Sequence, residues 1–224
     1  IDQMSHILFP PTRFDFENLK RDNCLKSKRT FIVGNTITDV LKEYVPAANK
    51  SKILEKLKLI KKKYFLVTLH RPESVDIKKN LSSLLKTLKA LYKKYKYPII
   101  FPIHPRTKNN MKKLNLSFDK NIKIIEPLEY LEFLKLMKDS KLILSDSGGI
   151  QEEASILGVP CVTLRTTTER QITLLRKVNI MAGYSQNKIL KAVEEFHNKN
   201  IKKINDFGSG NVTNKIYKKL TSLI

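Results

Sequence analysis

Near-continuous apolar runs, each followed by a stretch of helical period, leave this chain few folds to adopt. Tyr64–Thr68, Pro98–Phe101, Ile122–Ile125, Lys141–Ser145 and Pro160–Leu164 read as strands buried on both faces, with shorter runs at Ile7–Pro10, Thr30–Val33 and Asn179–Met181. Between them the spacing predicts helices over 14–22, 77–94, 129–139, 149–157, 169–176, 186–199 and 212–222. A helix ends near Tyr44, closed by Pro46, another begins near Ser51, and a short one begins at Lys108. Strands that are apolar along their whole length, alternating with helices, argue for an α/β protein with a parallel sheet covered on both faces. Right-handed crossovers follow from that arrangement, and a ligand crevice is expected beyond the strands' C-terminal ends.

Charge is the next constraint. Lys and Arg total 43 against 21 Asp and Glu, a formal charge of +22, which invites a nucleic-acid reading. The lysines are scattered over most helices, as in Lys61-Lys62-Lys63, Lys93-Lys94, Lys112-Lys113 and Lys202-Lys203, and no helix-turn-helix, RNA-recognition or zinc pattern accompanies them. A solvated lysine surface explains them better, with polyanion binding at low salt and no specific nucleic acid. Cys24 and Cys161 are far apart, and neither a metal site nor a disulfide framework is expected. With no apolar run near the roughly 18 residues of a membrane span, no membrane partner is expected. A reducing cytoplasm is the expected location.

Chemistry concentrates at Ser145-Asp146-Ser147-Gly148-Gly149-Ile150-Gln151-Glu152-Glu153. A strand ends there in a turn that opens a helix, whose first N–H groups and positive dipole end make an anion seat. Two glycines let a phosphate approach the backbone with no Cβ in the way. One turn on, Glu153 is placed to accept bonds from sugar hydroxyls. The same glycines also serve close helix–sheet packing, and the local pattern alone does not separate the two uses. Three other strand ends carry polar groups: His70-Arg71-Pro72-Glu73, His104-Pro105-Arg106-Thr107, and Arg165 to Arg170. Together they describe a donor-rich rim suited to a diphosphate.

In these segments the chain resembles the non-hydrolysing UDP-N-acetylglucosamine 2-epimerases. The matching blocks are Val33-Gly-Asn-Thr36, Thr68-Leu-His-Arg-Pro-Glu73, Ile103-His-Pro-Arg106, Glu126-Pro-Leu-Glu-Tyr-Leu-Glu-Phe133, Asp146-Ser-Gly-Gly-Ile-Gln-Glu-Glu153 and Thr166-Thr-Thr-Glu-Arg170, in the family's order. The resemblance implies a Rossmann-like parallel sheet that is the C-terminal half of a GT-B-like two-domain fold. On it, residues 34–207 form the UDP-binding domain. Residues 1–33 are the tail of a preceding domain with its linker, and 208–224 are a loop and helix packing back toward that domain. The chain starts Ile1-Asp2-Gln3-Met4 inside an apolar segment and reads as a fragment.

Carried over by position, the resemblance puts Phe133 at the uracil, Ser147, Gly148 and Gly149 at the diphosphate, Glu153 at the ribose, and Arg170 on phosphate. It puts His70, as the catalytic candidate, at the phosphate and the sugar's reacting face. Arg71 and His104 match positions that touch a second, activating UDP-GlcNAc in bacterial members. The implied reaction inverts C2 of UDP-GlcNAc to give UDP-ManNAc, by elimination of UDP and its re-addition, with no cofactor and in a homodimer. The carboxylates credited with proton transfer lie in the preceding domain, so these residues alone are expected to bind UDP weakly and not to epimerise. Gln171 replaces the family's usual proline, and Tyr184 and Phe207 are expected to serve packing. The competing readings are a hydrolysing UDP-GlcNAc 2-epimerase, another GT-B UDP-sugar enzyme, and a non-catalytic nucleotide- or polyanion-binding module.

Overall fold

The structure, a computed structural model, describes residues 2–25, 29–199 and 201–223. The chain resolves into two compact units: Ile1–Pro46 with Ile204–Ile224, and Ala47–Lys203. The first unit opens with β1 (Ile7–Leu8), α1 (Arg13–Arg21) and β2 (Arg29–Thr30), the two short strands pairing in parallel. Thr12 caps α1 by accepting the Asp15 N–H at 3.2 Å. Helix α2 (Ile37–Ala48) runs through Pro46, where the sequence predicted a stop. Pro46 is exposed, so water can take the carbonyl its missing N–H leaves unbonded, while buried Ala48 anchors the final turn.

The second unit begins with α3 (Ile53–Lys56), far shorter than a helix starting at Ser51 suggested, and β3 (Phe65–Thr68). It continues through α4 (Pro72–Val75), α5 (Lys78–Tyr95), β4 (Ile99–Pro102), α6 (Pro105–Lys113) and β5 (Ile122–Ile125). Next come α7 (Tyr130–Asp139), β6 (Leu142–Ser145), α8 (Gly148–Leu157) and β7 (Cys161–Thr163). The unit closes with α9 (Gln171–Leu175), β8 (Asn179–Met181) and α10 (Gln186–His197). Helix α11 (Val212–Thr221) belongs to the first unit. Its opening N–H groups, on Val212 and Thr213, donate to the Asp39 carboxylate at 2.8 and 2.7 Å.

All six strands of the larger sheet are parallel, in the order β5-β4-β3-β6-β7-β8. Alternate residues of each strand feed opposite cores, because side chains of a strand point to alternate faces. Phe65, Val67, Leu142 and Leu144 pack in one core with Leu81, Leu84 and Leu88 of α5 and Ile189, Val193 and Phe196 of α10. Tyr64, Leu66 and Ile143 pack in the other with Leu136 and Met137 of α7 and Ile150 and Ala154 of α8. Cys161 sits in this second core, where burial pushes its thiol up to about 12. This is the parallel α/β sheet covered on both faces that the apolar pattern predicted, and the Rossmann-like form that the resemblance implied. From β3 the chain winds outward through β4 and β5, then returns to lay β6 on the other side of β3. That reversal opens a crevice above Thr68 and Ser145, which stand opposite each other in the register.

Candidate functional site

At the reversal point the two strand ends are tied together by side chains. The hydroxyls of Thr68 and Ser145 are 2.7 Å apart. One residue beyond β6, the Asp146 carboxylate is fully buried and accepts the backbone N–H of His70 at 3.0 Å and of Arg71 at 2.9 Å. The Nδ1 atom of His70 lies 3.1 Å from the same carboxylate. Burial raises an acid's pKa, but the contacts from the His70 ring and from the Arg71 and His70 amides outweigh it and hold Asp146 below the usual carboxylate range.

Helix α8 starts at this point. Ser147 is its N-cap residue, and no side-chain hydrogen bond closes the cap. The first two helical positions are glycine, and they are used differently. A Cβ on Gly148 would come within 3.2 Å of the Arg170 guanidinium carbon, so Gly148 makes room for that side chain. A Cβ on Gly149 would meet nothing within 4 Å, so no packing within the chain asks for glycine there.

Arg170 therefore lays a cation beside the positive end of a helix, an arrangement that repels itself unless anions are near. Glu152 accepts from its Nε at 3.1 Å and Glu169 from its Nη1 at 3.4 Å. The loop that carries it is fixed by Thr168, which donates to buried Gln151 at 2.7 Å and accepts the Arg170 N–H at 3.1 Å. Gln171 occupies the first position of α9, where proline is tolerated because that N–H has no helical partner, and the helix forms with glutamine in its place. Nearby, Arg165 is 7% exposed and pairs with Glu169 at 3.3 Å and Glu73 at 3.7 Å.

One turn along α8, Glu153 is 8% exposed and accepts a 3.0 Å hydrogen bond from the Tyr130 hydroxyl at the start of α7. Burial pushes its carboxyl above the usual range, helped by the neighbouring Glu152 charge and opposed by the Tyr130 bond. Beyond α7, a cavity of about 210 Å³ is lined by His70, Ile103, His104, Pro127, Leu128 and Phe133 among others. His104 caps α6 by accepting the Arg106 N–H at Nδ1, 3.1 Å away. Burial first, then the His70 and Arg106 charges, push its imidazolium below the usual range against the pull of Asp146. The His70 and His104 rings are 5.5 Å apart.

The site residues read from the sequence thus fall into three neighbouring groups, all in the second unit. His70, His104 and Phe133 share the cavity; Ser147, Gly148, Gly149 and Arg170 gather at the start of α8; Glu153 is held against Tyr130. Arg71 enters through its backbone N–H, and its Nε atom is buried with no hydrogen-bond partner. Tyr184 packs against the first core of the sheet, and Phe207 is 2% exposed in the other unit, both serving packing.

Three residues with evident roles escaped the sequence reading. Asp146 and Glu152 stood inside the quoted block, but only the fold shows which partner each meets. Tyr130 lies three residues before Phe133, one helical turn away, a spacing that was available as a signal. Among the described residues no group of three or more His, Cys, Asp or Glu is placed to hold a metal ion, and no helix is long and apolar enough to cross a membrane.

Residues 1–221 match the family model described as UDP-N-acetylglucosamine 2-epimerase. The UDP-N-acetylglucosamine 2-epimerase of Methanocaldococcus jannaschii is 44% identical over 228 residues, covering 98% of this chain and 62% of that protein. That of Methanococcus maripaludis is 45% identical over 217 residues, covering 94% of this chain and 59% of that protein. A crystal structure of the M. jannaschii UDP-GlcNAc 2-epimerase in complex with UDP-GlcNAc and UDP superposes with a TM-score of 0.90 at 43% identity, covering 97% of this chain and 61% of that one. The chain spans about three fifths of the length of these relatives.

Proposed function

The chain belongs to the UDP-N-acetylglucosamine 2-epimerase family, and from that premise we propose that the crevice at the β3–β6 reversal binds the UDP part of UDP-GlcNAc. The apolar cavity beside Phe133 takes the flat uracil. Glu153 accepts hydroxyls of the ribose, with one oxygen engaged by Tyr130 and the other left for the sugar. The diphosphate sits on the open N-terminus of α8, over Ser147, Gly148 and Gly149, and Arg170 exchanges its contacts with Glu152 and Glu169 for phosphate oxygens. His70 meets the phosphate on the side where the C1–O bond breaks. Arg71 and His104 face a second nucleotide sugar.

The observation that carries this reading is Gly149. It is exposed, at a helical position, with open space where its Cβ would be. Alanine is the better helix former, and nothing in the chain would clash with it there. Glycine against that preference is accounted for by a ligand that must come closer than a Cβ allows.

The reaction that fits is inversion at C2 of UDP-GlcNAc. UDP leaves by elimination, and charge-assisted hydrogen bonds from α8, Arg170 and His70 stabilise it as a leaving group in a site that excludes water. Removing and returning the C2 proton requires positioned carboxylates. We assign these to the part of the relatives' length that this chain does not span, so the 224 residues bind UDP weakly and do not epimerise UDP-GlcNAc. A cytoplasmic enzyme acting as a homodimer is the accompanying proposal.

Calorimetric titration with UDP tests the reading. The unsubstituted chain should bind saturably, Arg170→Ala should weaken binding by about tenfold or more through loss of a charge-assisted contact, and Gly149→Ala should weaken it while leaving the melting temperature equal or higher. Undiminished binding by Gly149→Ala would show that no ligand approaches the backbone at Gly149 and would overturn the reading.

A further inference from the structure

We propose that Asp146 is a positioning residue that fixes His70 in the tautomer carrying its proton on Nδ1, so that Nε2 is the nitrogen presented to the ligand cavity. The inference deepens the nucleotide-binding reading and rests on it only for what Nε2 meets. A carboxylate accepts and never donates, so the His70 Nδ1 atom 3.1 Å from Asp146 must bear hydrogen or face a repulsive lone pair. The carboxylate has no freedom to turn away. It is 0% exposed and already holds the His70 amide at 3.0 Å and the Arg71 amide at 2.9 Å, so the backbone and the ring of one residue are gripped by one group. Nε2 lies across the ring from that grip, and the His70 side chain is 36% exposed and lines the cavity.

His104 is set the opposite way. Its Nδ1 accepts the Arg106 N–H at 3.1 Å, which leaves the proton of the neutral ring on Nε2. Two rings 5.5 Å apart therefore present unlike nitrogens, an acceptor on His70 and a donor on His104. A second proton, placed on Nε2, turns the ring into a donor for a phosphate oxygen while Nδ1 keeps its contact with Asp146. Asp146 thus decides which nitrogen of His70 faces the ligand cavity.

The competing role for Asp146 is purely structural, a clamp for the two amides. Ring nitrogen-15 spectroscopy separates the two roles, because protonated and unprotonated imidazole nitrogens resonate far apart. The chain has four histidines, and the His70 signals are identified by their loss in His70→Gln. At a pH where the rings are neutral, His70 should show a protonated Nδ1 and a bare Nε2, and His104 the reverse. In Asp146→Asn the amide group should move the His70 proton to Nε2, as the matching substitution does in catalytic triads, with the His104 pattern unchanged. A bare Nδ1 on His70 in the unsubstituted chain overturns the proposal, whether or not the variant folds. A folded Asp146→Asn that keeps the Nδ1 proton overturns it as well. Addition of UDP should shift the His70 Nε2 resonance; an unmoved Nε2 beside a protonated Nδ1 upholds the Asp146 assignment and counts against the nucleotide reading alone.

Discussion

At the scale of single residues, two groups of the site, Glu153 and His104, have surroundings that oppose their charge, while those of Asp146 favour it. Glu153 is the clearest case, since burial and the Glu152 charge both raise its pKa and the Tyr130 hydroxyl only partly offsets them. The folded state therefore holds the Glu153 proton more tightly than the unfolded chain, whose value is near 4.5. Between that pH and the raised folded value the native state binds more protons, so the residue's contribution to stability falls as pH rises. Glu153→Gln removes this penalty. Melting curves from pH 4.5 to 7 should show the variant gaining on the parent as pH rises, while its affinity for UDP falls; equal melting at pH 7 would mean that the carboxyl is not held against its preference. Much at this scale was legible, because glycine pairs, histidines and arginines at strand ends carry their chemistry in the sequence. Asp146 was not, since an acid between a strand and a helix reads as a routine cap until the fold brings His70 beneath it.

At the scale of elements, the strands of the six-stranded sheet begin and end within a residue of the expected positions, whereas β2 ends at Thr30, three residues short of the expected Val33. The expected short helix begins at Lys108, but histidine as N-cap and proline at the first position are helix-opening signals, and α6 begins at Pro105. The short α4 starts on Pro72 in the same way. Pro46 does not stop α2, because an exposed proline in a last turn loses one hydrogen bond that water replaces. The cap of α11 comes from Asp39, 173 positions away from Val212, beyond the reach of any local pattern. Burial would raise the Asp39 carboxyl, but the amides of Thr213 and Val212 lower it further, so its stabilisation is present above pH 3.8 and is lost as pH falls through the depressed value. Asp39→Ala should cost about 0.5–2 kcal/mol, the usual loss for a helix cap. Hydrogen exchange should place the effect at the start of α11; unaltered protection there would show that the cap does not hold the helix.

For the whole molecule, the net charge of +22 comes from lysines scattered over most helices, whereas the proposed nucleotide contacts lie in one crevice. The two kinds of binding should separate experimentally. Retention on an immobilised polyanion should be lost steeply with added salt and be the same for Gly149→Ala as for the parent, because it uses scattered lysines. UDP binding should depend on Gly149 at every salt concentration. Polyanion retention abolished by Gly149→Ala would place both functions in the crevice. The sheet was legible at this scale from its apolar strands and its crevice from their ends, but the order of strands was not, since periodicity does not say which strand lies beside which.

That order has a consequence for how the chain matures. Asp146 grips amides that precede it by 75 and 76 positions, and β6 must settle beside β3 before the grip exists. A chain that has laid down only β3, β4 and β5 lacks the β6 side of the crevice and the start of α8. Long-range parallel pairing of this kind is slow to form, so unfinished copies persist for a time beside finished ones. Ligand, binding only the finished form, draws the population toward it by mass action. A nucleotide that bound as proposed would thus select finished copies over unfinished ones, and a cell rich in it would hold more of its chains complete.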